Sequence, residues 1–177
     1  HGALKIVMSA ENTFFQMREN PYMDEIYSRG FMTDLSKVRR NETSPLVYHK
    51  TLNYGDCILE KRAAAAAGIN EKIFINTKGQ ISEGTVCNVF FVRKNMIYTP
   101  QLSCGLLPGI LREYIMERFQ VTETIIYPDE LMYYEECFVT NSLMGVMPVR
   151  QLGNICFPHR VKADEVREIY EKEKMSL

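Results

Sequence analysis

The chain has 177 residues, of which 24% are charged, and its formal net charge is -1. That length accommodates one well-cored domain but not two large ones. A nearly neutral chain has no overall positive field that would hold nucleic acid or an anionic membrane, so any anion site must be local.

The cysteines, histidines and apolar segments indicate a cytoplasmic protein. The five cysteines are odd in number and show no CxxC spacing, which is typical of reduced thiols rather than of a disulfide framework. His1, His49 and His159 are scattered along the chain, so a zinc or iron site has little support. No apolar run reaches membrane-spanning length, and no signal-like segment opens the sequence. We therefore expect a protein that binds neither nucleic acid nor membranes.

The first part of the sequence predicts a hairpin, a further strand and a helix. Residues 3–9 alternate as a strand does, and ENTFFQMREN follows as a hairpin partner. FMTDLSKVRR starts with a short strand and runs into a basic, polar loop over residues 39–44. From Tyr54 to Gly68 an alanine run predicts the clearest helix of the chain, with Gly68 as its C-terminal stop.

The rest of the sequence mixes strands and helices. KIFIN, ISEGTVCNVFFV and NMIYTP are predicted strands, with a turn at Gly79 between the first two. In CGLLPGILREYIMERF a glycine-bearing loop runs into an amphipathic helix. VTETIIYP predicts a strand, DELMYY a short helix, ECFVTNSLMGVMPV a strand, a turn and an extended segment, and the tail from Lys162 a charged helix. Because these elements interleave without strict alternation, the sequence predicts an α+β or mixed α/β fold.

Two charged residues are candidates for chemistry, and each also has an ordinary structural interpretation. Lys50 lies between a predicted strand and a helix, where partial loss of water can make an amine nucleophilic, although a single lysine is more often a surface residue. Glu83 stands directly in front of a strongly apolar strand, so it must be neutralised, hydrogen-bonded or paired with a cation. A carboxylate that caps a turn is the simpler interpretation of Glu83.

Two further segments are suited to an anion. GLLPGILRE places Gly105, Pro108 and Gly109 before a helix, whose first amide groups can hold a phosphate, although these residues are also common there for structural reasons. FVTNS ends a strand with small polar residues that include Asn141 and Ser142, which suit phosphate contacts or an ordinary turn. Together, an amine, an acid and two anion-binding turns are what pyridoxal 5'-phosphate requires, so we predict that cofactor.

The same segments resemble the class IV aminotransferase family. The resemblance rests on HKTLNYGDCILEKRAAAAAG, ISEGTVCNVFFVRKNMIYTP, GLLPGILRE and FVTNSLMGVMPV, which occur in the family's order. Its members are fold-type IV pyridoxal phosphate enzymes, among them branched-chain and D-amino acid transaminases and 4-amino-4-deoxychorismate lyase. The resemblance implies the larger C-terminal domain of the D-amino acid aminotransferase-like fold, with strands flanked by helices.

The resemblance implies roles around the ring of the cofactor for four residues. Lys50 would bind the cofactor covalently and afterwards act as general acid and base. Glu83 would lie beside the pyridine nitrogen and keep it protonated. Leu107 would pack on the ring, and Tyr54 would lie near the phenolic oxygen.

The resemblance also implies a phosphate site made from two turns. The backbone amides of Ile110 and Leu111 match the first phosphate cradle of the family, and Asn141 and Ser142 match the second. Family members commonly have threonine where this chain has Leu111, so one hydroxyl contact is missing and only the amide remains.

The same resemblance implies a domain division. It also implies a homodimer, because enzymes of this family are usually homodimers. The family's reactive lysine normally lies much farther from the N-terminus. Residues 1–45 are therefore expected to be a remnant of the smaller N-terminal domain with the interdomain connection, and residues 46–177 the cofactor-binding C-terminal domain. The smaller domain supplies an arginine for the phosphate, and the face exposed without it should be apolar and prone to self-association.

Three functions remain open at this point. The segment SLMGVMPV resembles the methionine-rich stretch of aminodeoxychorismate lyases more than the Ile-Thr-Pro-Val of transaminases. This favours a lyase of folate biosynthesis that converts the small-molecule substrate 4-amino-4-deoxychorismate to 4-aminobenzoate and pyruvate. A transaminase of branched-chain or D-amino acids is the first alternative, and a catalytically inert truncated fragment is the second.

Overall fold

The computed structural model describes residues 2–174, which form eleven strands and four α-helices. The strands are β1 (Gly2–Met8), β2 (Thr13–Glu19), β3 (Phe31–Arg40), β4 (Glu71–Asn76), β5 (Ile81–Gly84), β6 (Asn88–Arg93), β7 (Met96–Pro100), β8 (Val121–Thr124), β9 (Glu136–Asn141), β10 (Gly145–Leu152) and β11 (Ile155–Cys156). The helices are α1 (Asp24–Arg29), α2 (Gly55–Ala66), α3 (Ile110–Arg118) and α4 (Val161–Lys174). Short 3-10 helices span Pro45–Tyr48, Leu102–Cys104 and Pro128–Tyr133.

The strands form two separate sheets. β1 and β2 pair only with each other, as an antiparallel hairpin. The other nine strands form one sheet in the order β5-β4-β3-β10-β9-β6-β7-β8, with β11 added beside β10. In this sheet the pairs β3–β4, β3–β10 and β7–β8 are parallel, and the remaining pairs are antiparallel. The mixed α/β fold predicted from the sequence is therefore confirmed.

Strand β6 lies within the large sheet and is covered on both faces. Its apolar run VFFV is fully buried, because successive side chains of a strand point to opposite faces and each face here has its own cluster. Phe91 belongs to one cluster, together with Val139 and Met147. Phe90 belongs to the other, where it stacks on Phe138 with ring centroids 4.9 Å apart. This packing makes the β6 backbone a rigid support for the residues at its start.

The predicted strand ISEGTVCNVFFV is in fact two strands. β5 pairs with β4, β6 pairs with β9, and residues 85–87 connect them. The N–H of Gly84 donates to the carbonyl of Cys87 at 2.7 Å, which closes a tight turn. The fully buried carboxylate of Glu71 accepts from the Thr85 hydroxyl at 2.6 Å and from Lys61 Nζ at 3.0 Å. A buried carboxylate needs such partners, and satisfying it holds the turn.

Other predicted elements differ mainly at their ends. The patterns predicted no helix at Asp24–Arg29, where α1 forms. β3 is longer than the predicted short strand, because its parallel pairing with β4 continues to Arg40. The predicted helix DELMYY is a 3-10 helix, and β8 covers only the first half of VTETIIYP. The charged C-terminal helix is α4, although residues 175–177 of the predicted tail, like His1, lie outside the described residues.

The division into residues 1–45 and 46–177 stays a prediction. Within the first segment, the β1–β2 hairpin forms its own sheet, whereas β3 is hydrogen-bonded between β4 and β10 of the large sheet. Over residues 2–174, no helix is long and apolar enough to cross a membrane. All five cysteines are free thiols.

Candidate functional site

Glu83 is bound from two sides by groups that are distant in the sequence. Its side chain, on β5, is 6% exposed. Arg40 Nη2 donates to Glu83 Oε1 at 2.6 Å, and the backbone N–H of Leu107 donates to Oε2 at 3.0 Å. Arg40, at the end of β3, is therefore the cation that the buried carboxylate required, and the sequence patterns had not singled it out.

The environment of Glu83 changes its acidity. Burial raises the pKa of Glu83 from 4.5 to about 7, while Arg40, the Leu107 N–H and the charge of Lys50 oppose the rise. Near neutral pH the carboxyl is thus present in both protonation states. Such a group can hold a proton at, or accept one from, a basic nitrogen placed beside it.

Arg40 is held in place by more than its ion pair. Its Nη1 donates to Cys57 Sγ at 3.4 Å, and its guanidinium lies 5.3 Å from the centroid of the Phe74 ring. Arg40 Nε is buried without an acceptor in the described part of the chain. Arg40 therefore links α2 and β4 to the carboxylate, and it also lines a cleft of about 190 Å³ together with Asn53 and other residues.

Lys50 lies in an exposed loop before α2. Its positive charge is one of the influences that lower the pKa of Glu83, which places the amine within electrostatic reach of that carboxylate. The loop is anchored upstream by Glu42, whose carboxylate accepts from the Thr77 hydroxyl at 2.8 Å and whose carbonyl accepts from the Tyr48 hydroxyl at 2.7 Å. The reactive amine predicted from the sequence therefore projects from a tethered segment.

Tyr54 is the residue directly before α2 and is half-buried. Its predicted place near the phenolic oxygen of the cofactor stays a prediction. The same holds for packing of Leu107 on the ring, although the backbone of Leu107 is fixed by Glu83.

The loop that leads into α3 passes close to the segment before Lys50. Gly105 has φ +84°, and a Cβ there would lie 2.7 Å from the Cα of Glu42. Only glycine adopts this backbone easily and leaves room for the neighbouring chain. This close approach holds the loop that leads into α3 against Glu42, in the segment before Lys50.

Helix α3 presents its first backbone amides without a side-chain cap. Its N-cap is Gly109, and the helix of nine residues begins at Ile110, whose side chain is 77% exposed. Leu111 is 3% exposed and belongs to the same core cluster as Ile115. The amides at this end can hold an anion, whereas the Leu111 side chain stabilises the helix from within the core.

The second predicted phosphate turn is shaped by Asn141. Its Oδ1 accepts from the N–H groups of Leu143 at 3.0 Å and Met144 at 2.7 Å, and its Nδ2 donates to the carbonyl of Val86 at 3.0 Å. The neighbouring Ser142 is exposed. The side chain of Asn141 therefore builds the turn, and the Ser142 hydroxyl is the polar side chain that it presents to solvent.

The structure joins several of the candidate residues through one short segment. Glu83 contacts Leu107 directly, and Asn141 contacts Val86 in the connection that follows Glu83. Asn88, at the end of this connection, was missed by the sequence patterns, although a polar residue that opens a buried strand is a usable signal. The roles predicted for eight residues in binding the cofactor remain predictions. These residues are Lys50, Tyr54, Glu83, Leu107, Ile110, Leu111, Asn141 and Ser142.

This donor set fits pyridoxal phosphate. The cofactor has an aldehyde, a pyridine nitrogen and a phosphate. Lys50 offers an exposed amine, Glu83 a carboxyl that titrates near neutrality, and α3 a free N-terminus. Each group of the cofactor therefore has a chemical counterpart among these residues.

Comparisons with known proteins agree with the fold and identify the family. The family model described as amino-transferase class IV matches residues 2–152. A probable branched-chain-amino-acid aminotransferase of Thermotoga maritima is 32% identical over 136 residues, which are 72% of this chain and 48% of that protein. The chain thus spans about half the length of this relative.

Solved structures show the same architecture. A candidate 4-amino-4-deoxychorismate lyase of Legionella pneumophila superposes with a TM-score of 0.82 at 26% identity, over 91% of this chain and 61% of that one. A branched-chain amino acid aminotransferase of Escherichia coli shares the fold with a TM-score of 0.81 at 22% identity, over 90% of this chain and 56% of that one. The chain belongs to the class IV aminotransferase family, as the resemblance of its motifs predicted.

Proposed function

We propose that this chain binds pyridoxal 5'-phosphate and carries the cofactor-binding part of an enzyme that acts on a small amino compound. The observation that carries the proposal is the buried carboxyl of Glu83, which titrates at about pH 7 and is hydrogen-bonded to the loop leading into α3. A carboxyl in this state is suited to a pyridine nitrogen, and the helix start beyond the loop is suited to a phosphate.

Each site residue has a separate role in the proposed reaction. Pyridoxal phosphate, when bound, supplies an electron sink for a bond broken at the substrate carbon. The amine of Lys50 binds the cofactor and then takes and returns the proton at that carbon. Glu83 holds a proton at the pyridine nitrogen. The amides of Ile110 and Leu111, with the Ser142 hydroxyl, hold the phosphate.

Within the family we favour a 4-amino-4-deoxychorismate lyase. The support is the methionine-rich segment SLMGVMPV after the second turn and the likeness to the candidate lyase of Legionella pneumophila. Met144 and Met147 of that segment are buried in the hydrophobic core. In this reaction Lys50 removes the proton from the carbon that bears the amino group, pyruvate leaves, and the ring becomes the aromatic ring of 4-aminobenzoate.

A branched-chain amino acid transaminase is the second candidate. The names of the curated relatives favour it, because the protein of Thermotoga maritima and several others similar to this chain are described as branched-chain aminotransferases. The two reactions use Lys50 and Glu83 in the same way. They differ in the fate of the electrons freed at the substrate carbon, which expel pyruvate in the lyase reaction and pass to the keto acid in the transaminase reaction. The site residues alone are compatible with both.

Cofactor binding can be tested on the chain directly. Pyridoxal phosphate added to the folded protein should produce an absorbance band near the edge of the visible range, which marks a lysine-bound cofactor. Lys50→Ala should abolish the band, whereas Lys37→Ala, which removes an exposed lysine of β3, should keep it. A Lys50→Ala protein that retains the band would overturn the assignment.

The reaction class needs a separate assay on cofactor-loaded protein. Appearance of 4-aminobenzoate from 4-amino-4-deoxychorismate without a keto-acid acceptor would identify the lyase. Transfer of the amino group from a branched-chain amino acid to a keto acid would identify the transaminase. A folded chain that gives neither the absorbance band nor either product would support an inert fragment.

A further inference from the structure

We propose that Asn88 is a positioning residue that sets the distance between the Glu83 carboxyl and the start of α3. Asn88 is 6% exposed, and its Nδ2 donates to the carbonyl of Leu107 at 2.8 Å. The N–H of the same Leu107 donates to Glu83 Oε2 at 3.0 Å. Both backbone polar groups of Leu107 are therefore hydrogen-bonded, the N–H to Glu83 of β5 and the carbonyl to Asn88 of β6.

A second contact shows how closely Asn88 follows this loop. A Cβ on Gly109 would lie 2.2 Å from Asn88 Oδ1, far inside van der Waals contact. The backbone of the helix N-cap thus passes directly over the Asn88 amide. Asn88 touches the loop on both sides of Pro108, once through a hydrogen bond to Leu107 and once through packing on Gly109. These contacts restrict the backbone immediately before the amides of Ile110 and Leu111.

The support beneath Asn88 is rigid. Asn88 is the first residue of β6 and lies opposite Thr140 of β9, within the ladder that continues through Val89 and Val139. Thr140 directly precedes Asn141, the residue that shapes the second turn. The start of α3 and the second turn are the two segments proposed to hold the ligand. Asn88 and Thr140 therefore lie between them.

The inference rests on the proposed function in one respect: the anion at the start of α3 is the phosphate of pyridoxal phosphate. If Asn88 sets that phosphate site, its loss should weaken binding of the phosphate much more than binding of the ring. Removing the side chain leaves the Leu107 carbonyl without its partner and frees the loop to move. The amides of Ile110 and Leu111 would then no longer converge at one point.

The experiment compares two ligands and three variants of the 177-residue chain. Asn88→Ala removes the whole amide, and Asn88→Leu keeps its branched shape while removing the donor without adding a charge. Thr140→Val is the matched control, because Thr140 is 1% exposed on the neighbouring strand and its hydroxyl has no partner among residues 2–174. Dissociation constants are measured for pyridoxal phosphate and for pyridoxal, which lacks the phosphate. Hydrogen exchange of the backbone amides of residues 105–112 is measured without any ligand.

We expect both Asn88 variants to raise the Kd for pyridoxal phosphate by about tenfold or more, since a buried carbonyl loses its hydrogen bond. The Kd for pyridoxal should change by no more than about twofold, well below that factor of ten. Amides of residues 105–112 should exchange faster in the Asn88 variants than in wild type and in Thr140→Val. Circular dichroism verifies that each variant is folded.

Two results would overturn the role of Asn88. One is unchanged exchange across residues 105–112 in the Asn88 variants, which would mean that the loop does not depend on this side chain. The other is an equal loss of affinity for both ligands, which would point to general damage of the fold. A wild-type chain that binds neither ligand would refute the proposed function instead, and the exchange measurement would still decide whether Asn88 holds the loop.

Discussion

The buried carboxyl of Glu83 makes the stability of the chain depend on pH in an unusual direction. Below pH 4.5 the carboxyl is protonated in both the folded and the unfolded chain. Between 4.5 and about 7 the unfolded chain loses the proton while the folded chain keeps it, because burial raises the pKa of Glu83. The free energy of unfolding should therefore fall as the pH rises through this window, whereas a carboxylate with a lowered pKa produces the opposite slope.

The size of the effect follows from the two pKa values. A rise from 4.5 to about 7 corresponds to about 3 kcal/mol, since one pKa unit equals about 1.4 kcal/mol. Glu83→Gln has no titrating group at this position, so it should be free of this loss. It also leaves Arg40 without its anionic partner, but that cost is the same at every pH in the window. The difference in unfolding free energy, variant minus wild type, should rise by about 3 kcal/mol from pH 4.5 to pH 8.

Urea denaturation followed by circular dichroism between pH 4.5 and 8 measures this difference. Asp34→Asn is the control, because the hydrogen bond from Lys72 lowers the pKa of Asp34 below 3.8 and keeps its titration outside the window. Its difference from wild type should stay constant above pH 5. A Glu83→Gln difference that is also constant, or that falls with rising pH, would refute the view that Glu83 is a buried carboxyl of raised pKa.

Three further variants test other features of the structure. Arg40→Met should raise the pKa of Glu83 further and destabilise the fold by about 3 kcal/mol at pH 8 but less at pH 5, as measured by urea denaturation, and equal losses at both would contradict the ion pair. Thr140→Val should increase the unfolding free energy by about 1 kcal/mol, because it removes a buried hydroxyl without a partner in the described chain. Ile6 and Phe15 lie side by side on the β1–β2 hairpin and are 53% and 68% exposed. We propose that this apolar face carries the self-association expected from the family resemblance. Replacing both residues with serine should then shift the sedimentation distribution towards the monomer, and an unchanged distribution would exclude this face.

Local patterns in the sequence were sufficient for most of the individual elements. The alanine run predicted α2, and the glycine-bearing loop predicted the start of α3, because helix propensity and helix ends depend on neighbouring residues. The apolar run VFFV predicted a buried strand, which β6 is. The order of motifs around Lys50 and Glu83 was sufficient to identify the family.

The same local patterns gave wrong predictions where contacts between residues distant in the sequence determine the structure. The strand predicted across residues 81–92 is interrupted because Glu71, from another strand, binds Thr85 in the middle of it. Helix α1 has a short, weakly periodic sequence, but its Tyr27 is buried and donates a hydrogen bond to the carbonyl of Met144. Neither contact leaves a signal in its own segment.

The sequence by itself determined which residues are candidates for chemistry and where glycine, proline and alanine start or stop an element, because these properties depend on residues only a few positions apart. The tertiary structure alone decided that Arg40, 43 positions from Glu83, is its ionic partner, and that Asn88 and Glu83 hold Leu107 between them. It also decided the raised pKa of Glu83. Burial and ion pairing arise only when the strands of the large sheet bring distant segments together and remove water from the groups between them.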